Sequence, residues 1–242
     1  MIFSSRRNTV FIVLAMFFAA DAIVAEFIGG KLIQIGPFTM SIGVIPWPIV
    51  FIATDLINEY YGRKGVRRLS LITVCLIIYA YVILFFAMSV KAASFSPIQD
   101  DVFQKVFGQS MWIIVGSITA FLTSQLVDNY IFWMVRDRTG GKMIWLRATG
   151  STIISQLVDT FIVGFIAFRL PALLYSEQYH MTTMDYITTA STAYVFKLCI
   201  AIGSTPLIYL GHSLIERYIG KDDAEKLAQH TAEESLHHKV EN

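Results

Sequence analysis

The apolar residues of this chain fall into runs of about twenty separated by short charged loops, the length an α-helix needs to cross a hydrocarbon layer about 30 Å thick. A water-soluble globule is excluded by the same pattern. The composition agrees: 55% of the 242 residues are hydrophobic and only 15% charged, with a mean hydropathy of +0.58, where a soluble domain carries about 25% charge. The expected spans are 10–35, 40–60, 69–90, 110–135, 148–168 and 187–215. At about 20 residues per span plus loops, six spans use nearly the whole chain and leave no room for a sizeable soluble domain. The predicted class is an all-α integral membrane protein, a six-helix bundle. The start, with Arg6-Arg7 ahead of an apolar run and Ala20-Asp21-Ala22 within it, has the outline of a signal peptide. Its apolar stretch continues too far for one and is read as a retained first span.

Six spans place both termini on one side, and the distribution of Lys and Arg chooses the side. One set of segments holds Arg6, Arg7, Arg63, Lys64, Arg67, Arg68, Arg136, Arg138, Lys142, Arg147, Arg217, Lys221, Lys226 and Lys239, which is 14 of the 19 basic residues. Both termini are therefore expected in the cytoplasm. The loops 91–109 and 169–186 are expected outside. The transmembrane domain is read as 1–218, followed by a polar cytoplasmic tail, 219–242, that is partly helical or disordered.

Two spans differ in kind. The third, 69–90, is uninterrupted and uncharged, as a lipid-facing scaffold helix is. The second carries Pro46-Trp47-Pro48, which removes two backbone donors and predicts a break or kink; broken helices in membranes line cavities. A third feature is an internal echo. Ser124-Gln125-Leu126-Val127-Asp128 recurs as Ser155-Gln156-Leu157-Val158-Asp159 in the following span, which runs the opposite way. In each copy the Gln and the Asp are three apart and share a helix face.

An ionisable side chain at the bilayer centre costs about 2.5–3.5 kcal/mol on insertion scales, so each is a functional candidate. Asp21 and Glu26 fall in the first span, Asp55 in the second, Asp128 in the fourth, Asp159 in the fifth and Lys197 in the sixth. Five acids meet one base, an excess that calls for a polar cavity or a ligand rich in donors. With Asn58, Gln125 and Gln156 these groups form paired acceptors. A carboxylate accepts two parallel N–H donors, the pattern of a guanine-like edge, and aromatic residues at 14% are plentiful enough to stack a flat ring. The candidate substrate-binding residues are Glu26, Asp55, Asn58, Gln125, Asp128, Gln156, Asp159 and Lys197, and the expected partner is a small heteroaromatic base. An organic cation or a proton-coupled solute fits the same inventory.

Other chemistries lack their residues. Cys75 and Cys199 sit alone in apolar runs and are expected to be buried thiols; there is no CxxC, HExxH or GxxxxGK[ST], so no metal or cofactor is expected. Nucleic-acid binding has no support. Paired aspartates on adjacent helices admit an intramembrane hydrolase in principle, but its flanking motifs are absent.

The stretch Pro46-Trp47-Pro48 followed by Thr54-Asp55-Leu56-Ile57-Asn58-Glu59-Tyr60-Tyr61-Gly62-Arg63-Lys64 resembles the queuosine precursor transporter family, formerly grouped with vitamin uptake transporters. The segment Glu26-Phe27-Ile28-Gly29-Gly30-Lys31-Leu32, both Ser-Gln-Leu-Val-Asp copies and Trp145-Leu146-Arg147 leading into Ser151-Thr152 extend the likeness over most of residues 20–170. Glu26 stands where many members have Asn. The resemblance implies a multi-pass importer in the bacterial inner membrane, not an enzyme, for 7-deazaguanine bases in their cyano and aminomethyl forms. These would be salvaged for tRNA modification. It also leaves open a substrate-capture subunit of an ATP-driven vitamin uptake complex. The carboxylates would accept the ring N–H and exocyclic amine, while Gln125 and Gln156 read the remaining edge. A homodimer is compatible with the small residues Gly29, Gly30, Gly116 and Ser117.

Overall fold

The structure is a computed structural model that describes residues 2–139, 144–175 and 180–237, without the side chains of 2–5, 63, 125, 128–129, 132–133, 135–139, 144–152 and 230–237. Among the described residues six helices are long and apolar enough to cross a membrane: Arg6–Ile28, Ile42–Gly62, Lys64–Ser89, Asp100–Ser124, Ile153–Leu174 and Thr183–Gly203. The chain is an all-α, multi-pass integral membrane protein. Large apolar side chains face outward, Met16 at 66% and Phe86 at 63% exposure, which only a hydrocarbon solvent tolerates over so many residues. The same inversion corrects the expectation for the cysteines, since Cys75 and Cys199 are free and exposed on apolar helix surfaces. In a membrane an apolar position need not be an interior one.

Two compact units divide the chain. The first comprises Met1–Ala25, Ile45–Ala80 and Lys197–Asn242. It holds most of α1 (Ile2–Ile28), the first three quarters of α2 (Trp47–Ser89), the end of α6 (Thr183–Gly203), then α7 (Thr205–Ile219) and α8 (Lys221–His237). Its core joins Val10, Leu56, Tyr60, Ile215, Ile219, Ala224 and Leu227. The polar tail is thus helical from Lys221, and its first turns bury Ala224 and Leu227.

Within this unit the second and third spans meet at Gly62, whose φ of 66° and ψ of −174° interrupt the helix. That region of the map is open essentially to glycine alone, so one residue does the work of a loop. Beside it the Tyr61 hydroxyl donates to the Arg7 carbonyl at 2.6 Å, and the Arg7 guanidinium lies 5.7 Å from the Tyr61 ring centroid. Arg6 donates to the Tyr218 carbonyl at 3.3 Å. The start of α1, the Gly62 turn and the end of α7 therefore lie together, and with them the basic residues of three chain segments. Beyond the turn only a narrow stripe of α2, Leu69, Thr73, Ile77 and Leu84, is buried among the described side chains, the geometry of a scaffold helix facing lipid.

The second unit comprises Glu26–Val44 and Tyr81–Phe196. The first span ends at Ile28 and does not run to Ile35 as expected. Gly29-Gly30 stop the helix, and Leu32–Ile35 (β1) pairs antiparallel with Phe38–Ser41 (β2), Ile35 opposite Phe38 across a Gly36-Pro37 turn in which Gly36 has φ 59°. Ser41 Oγ donates to the Gly29 carbonyl at 2.6 Å and accepts from the Gly43 N–H at 3.1 Å, while the Ile42 N–H donates to the Lys31 carbonyl at 2.9 Å. Backbone groups left over by the helix end are thereby satisfied, as a low-dielectric setting requires.

The second span is broken at Pro46-Trp47-Pro48 and not kinked within a continuous helix. A 3-10 turn, Ile42–Val44, precedes the break, and α2 starts at Trp47 with Pro48 in its first turn, where a missing N–H costs nothing. The loop at 91–109 is shorter than expected because α3 (Asp100–Thr139) begins at Asp100-Asp101, acids that suit a helix N-terminus. The expected sixth span, 187–215, divides at Ser204 into α6 and α7, the latter opened by Pro206. After α4 (Ile144–Gly164) a π-helical turn, Phe165–Arg169, leads into the short α5 (Leu170–Leu174).

Candidate functional site

Helix α4 is the centre of the second unit. A side chain at Gly116 of α3 would meet the Val163 carbonyl at 3.2 Å, and Gln109 Nε2 donates to the Ala167 carbonyl at 2.6 Å. These two contacts fix an antiparallel register. Carried along both helices, it sets Ser124 level with Ser155, so the repeated segments meet at their serine ends, both of which are buried. On the other side, Tyr186 and Tyr194 of α6 donate to the carbonyls of Phe161 and Ile153 at 3.0 and 3.1 Å. Tyr194 is thus committed to helix packing.

Held between these neighbours, α4 presents Gln156 seven residues before Val163, on the face turned to α3. Its Oε1 is buried and has no hydrogen-bond partner among the described residues. A buried acceptor left open is costly, and it marks the place where a donor is wanted. Asp159 follows one turn on and is half-buried. Gln125 and Asp128 lie on α3, but their side chains fall outside the described residues. Glu26, 9% exposed, accepts a hydrogen bond from Ser117 Oγ at 3.0 Å; next to it Ser110 Oγ donates to the Phe27 carbonyl at 2.9 Å. The structure therefore brings Glu26 to α3 and Gln156 and Asp159 to the α3–α4 contact within one unit.

Asp55, Asn58 and Lys197 belong to the first unit. Asp55 and Asn58 are exposed on α2, while the opposite face, Ala53, Leu56, Ile57 and Tyr60, is buried. Their face is not purely polar. With 3.6 residues per turn, Trp47, Phe51, Thr54, Asp55 and Asn58 fall within an arc of about 100°. Lys197 is 8% exposed, and its ammonium lies 4.2 Å from the Trp47 ring centroid. Carboxylate, carboxamide, hydroxyl and aromatic ring thus share one stripe of a membrane-spanning helix.

Three features of the structure are absent from the candidates that the sequence supplies. Trp47 and Phe51 share the stripe with Asp55 at spacings of four, a signal that the sequence itself carries. Ser117, the donor to Glu26, has in the sequence only the character of a small packing residue. The pair Tyr60–His212, hydroxyl to Nδ1 at 2.8 Å, is 152 residues apart and leaves no local trace. Among the described residues no group of three His, Cys, Asp or Glu could hold a metal ion.

Comparison with known proteins sets this arrangement among transporters. The chain is 28% identical over 188 residues to a protein of Bacillus subtilis named "Probable queuosine precursor transporter", covering 76% of this chain and 77% of that one. A protein of Haemophilus influenzae with the same name is 28% identical over 167 residues, covering 68% and 65%. The "Queuosine precursor transporter" of Escherichia coli is 26% identical over 177 residues, covering 68% and 69%. No solved structure matches the chain. Residues 41–211 match the profile of the family described as "Putative vitamin uptake transporter". That span contains the α2 stripe, the α3–α4 pair and Lys197, and the chain belongs to this putative vitamin uptake transporter family: it is a membrane transporter and not an enzyme.

Proposed function

We propose that the protein imports queuosine precursors, 7-deazaguanine bases in their cyano and aminomethyl forms, across the bacterial inner membrane for salvage into tRNA. The observation that carries this reading is that each unit places acceptors on membrane-embedded helices: the exposed Asp55 and Asn58 on α2 in the first, and Gln156 on α4, with its buried, open Oε1, in the second. A guanine-like edge offers a ring N–H beside an exocyclic amine, which one carboxylate accepts in parallel. In this reading the acceptors of either unit serve that edge: Asp55 and Asn58, with Lys197 on an acceptor or ring of the base, in the first, and Glu26, Asp128 and Asp159 with Gln125 and Gln156 in the second. The names of the three relatives support the substrate class.

The excess of basic residues on the segments around Arg6, Gly62, Arg147 and Arg217 supports a topology with both termini, and the polar tail 219–242, in the cytoplasm. We read the protein as a transporter that works alone or as a homodimer, with no nucleic acid and no cofactor. Uptake of radiolabelled 7-cyano-7-deazaguanine into proteoliposomes holding only the purified protein tests this. Accumulation above protein-free vesicles is expected. Uptake only after an ATPase complex is supplied would instead make the chain a substrate-capture subunit.

A further inference from the structure

Two aromatic rings on the α2 stripe have no part in the hydrogen-bonding scheme above. Trp47 and Phe51 are one helical turn apart, with centroids separated by 5.5 Å and planes inclined at 40°. Both are half-buried, so neither ring is sealed into the core. The first turn of α2 fixes the backbone that carries the indole. The Ile49 and Val50 N–H groups donate to the Pro46 carbonyl at 3.1 and 3.3 Å, and the fixed φ of Pro48 leaves the backbone after Trp47 little freedom. Four residues on, about 6 Å along the axis, stands Phe51, and after the same interval Asp55.

The place over the indole is taken by Lys197. Its ammonium, 4.2 Å from the centroid, sits on the electron-rich face of the ring, and the residue is buried. A buried cation on a half-open aromatic face holds a position that a planar ligand would need. A flexible four-carbon stem lets it yield that position.

We propose that Trp47, with Phe51, is the stacking platform of the transported base, and that Lys197 covers the indole and gives way when the base binds. This rests on the reading of the substrate as a flat heteroaromatic base. It adds a selectivity rule: an ammonium held beside the platform disfavours the cationic aminomethyl form relative to the neutral cyano form.

The test uses full-length protein in nanodiscs, with Trp112, Trp133 and Trp145 replaced by Phe so that Trp47 alone reports. Titration with 7-cyano-7-deazaguanine should quench its emission saturably. With the native tryptophans restored, binding of the radiolabelled base should survive Trp47→Phe and weaken about 10-fold or more in Trp47→Leu. Lys197→Gln should raise affinity for the aminomethyl form relative to the cyano form, a ratio that a purely structural role for Lys197 would leave unchanged. Saturable binding with no quenching, together with wild-type affinity in Trp47→Leu, would overturn the platform while leaving the substrate assignment standing. Failure of the wild-type protein to bind either base would overturn the substrate assignment and this inference with it.

Discussion

At the scale of single residues, the polar groups of the spans separate into those that build and those proposed to recognise the base. Tyr60 is 3% exposed, and its hydroxyl meets His212 Nδ1 at 2.8 Å, beside the core formed with Ile215 and Ile219. Removing the imidazole takes this hydrogen bond away from a buried hydroxyl, a loss of about 0.5–1.5 kcal/mol. His212→Ala should therefore lower the thermal midpoint in detergent, and His212→Gln should recover part of the loss; equal stability of all three would remove the structural role. Asp159 and Asp128 are different, because the proposed contact needs a charged acceptor. Asp159→Asn and Asp128→Asn should each abolish uptake while membrane insertion is unchanged, as read by uptake set against immunoblotted membrane fractions. Full uptake by both variants would eliminate carboxylate recognition. Most of the candidate residues are legible in the sequence because charge in an apolar run is expensive wherever it occurs. The rings beside them do not stand out, since 14% of the chain is aromatic and a single Trp carries no such cost.

Elements are legible by length and far less so at their ends. Hydrophobic runs give the number of spans, yet an apolar residue is equally at home in a helix, in the hairpin β1–β2 or in the 3-10 turn before Trp47. By hydropathy alone Leu32-Ile33-Gln34-Ile35 therefore merges into the first span, although Gly29-Gly30 before it and Gly36-Pro37 after it carry the stop and turn signals. The Gly62 turn is legible only as a helix end. Its backbone lies in a region closed to other residues, so Gly62→Ala should cost about 1–3 kcal/mol and reduce the folded yield on size-exclusion chromatography. The α3–α4 contact makes a second prediction. Gly116 approaches the Val163 carbonyl so closely that Cβ alone would sit 3.2 Å from it. Gly116→Val should spread the two helices and destabilise the protein by about 1–3 kcal/mol, seen as a lower thermal midpoint; an unchanged midpoint would mean that the helices are not held at that distance.

For the whole molecule, direction and energy follow from charge. If both termini face the cytoplasm, alkaline phosphatase fused after Asn242 should be inactive and a cytoplasmic fluorescent reporter at the same site should be bright; the reverse pattern would invert the assignment. An inside-negative potential favours entry of a singly charged cation by about 2.3 kcal/mol per 100 mV, about 50-fold in accumulation. A potassium diffusion potential across proteoliposomes should therefore raise accumulation of the aminomethyl form and leave the cyano form unaffected; equal responses would point to a coupled ion. The most direct measurement is the queuosine content of tRNA in a bacterium unable to make the precursor, fed nanomolar cyano or aminomethyl 7-deazaguanine with and without this gene. Modified tRNA only in cells carrying the gene is the predicted result. Unmodified tRNA despite confirmed expression in the membrane would contradict import of queuosine precursors by this protein.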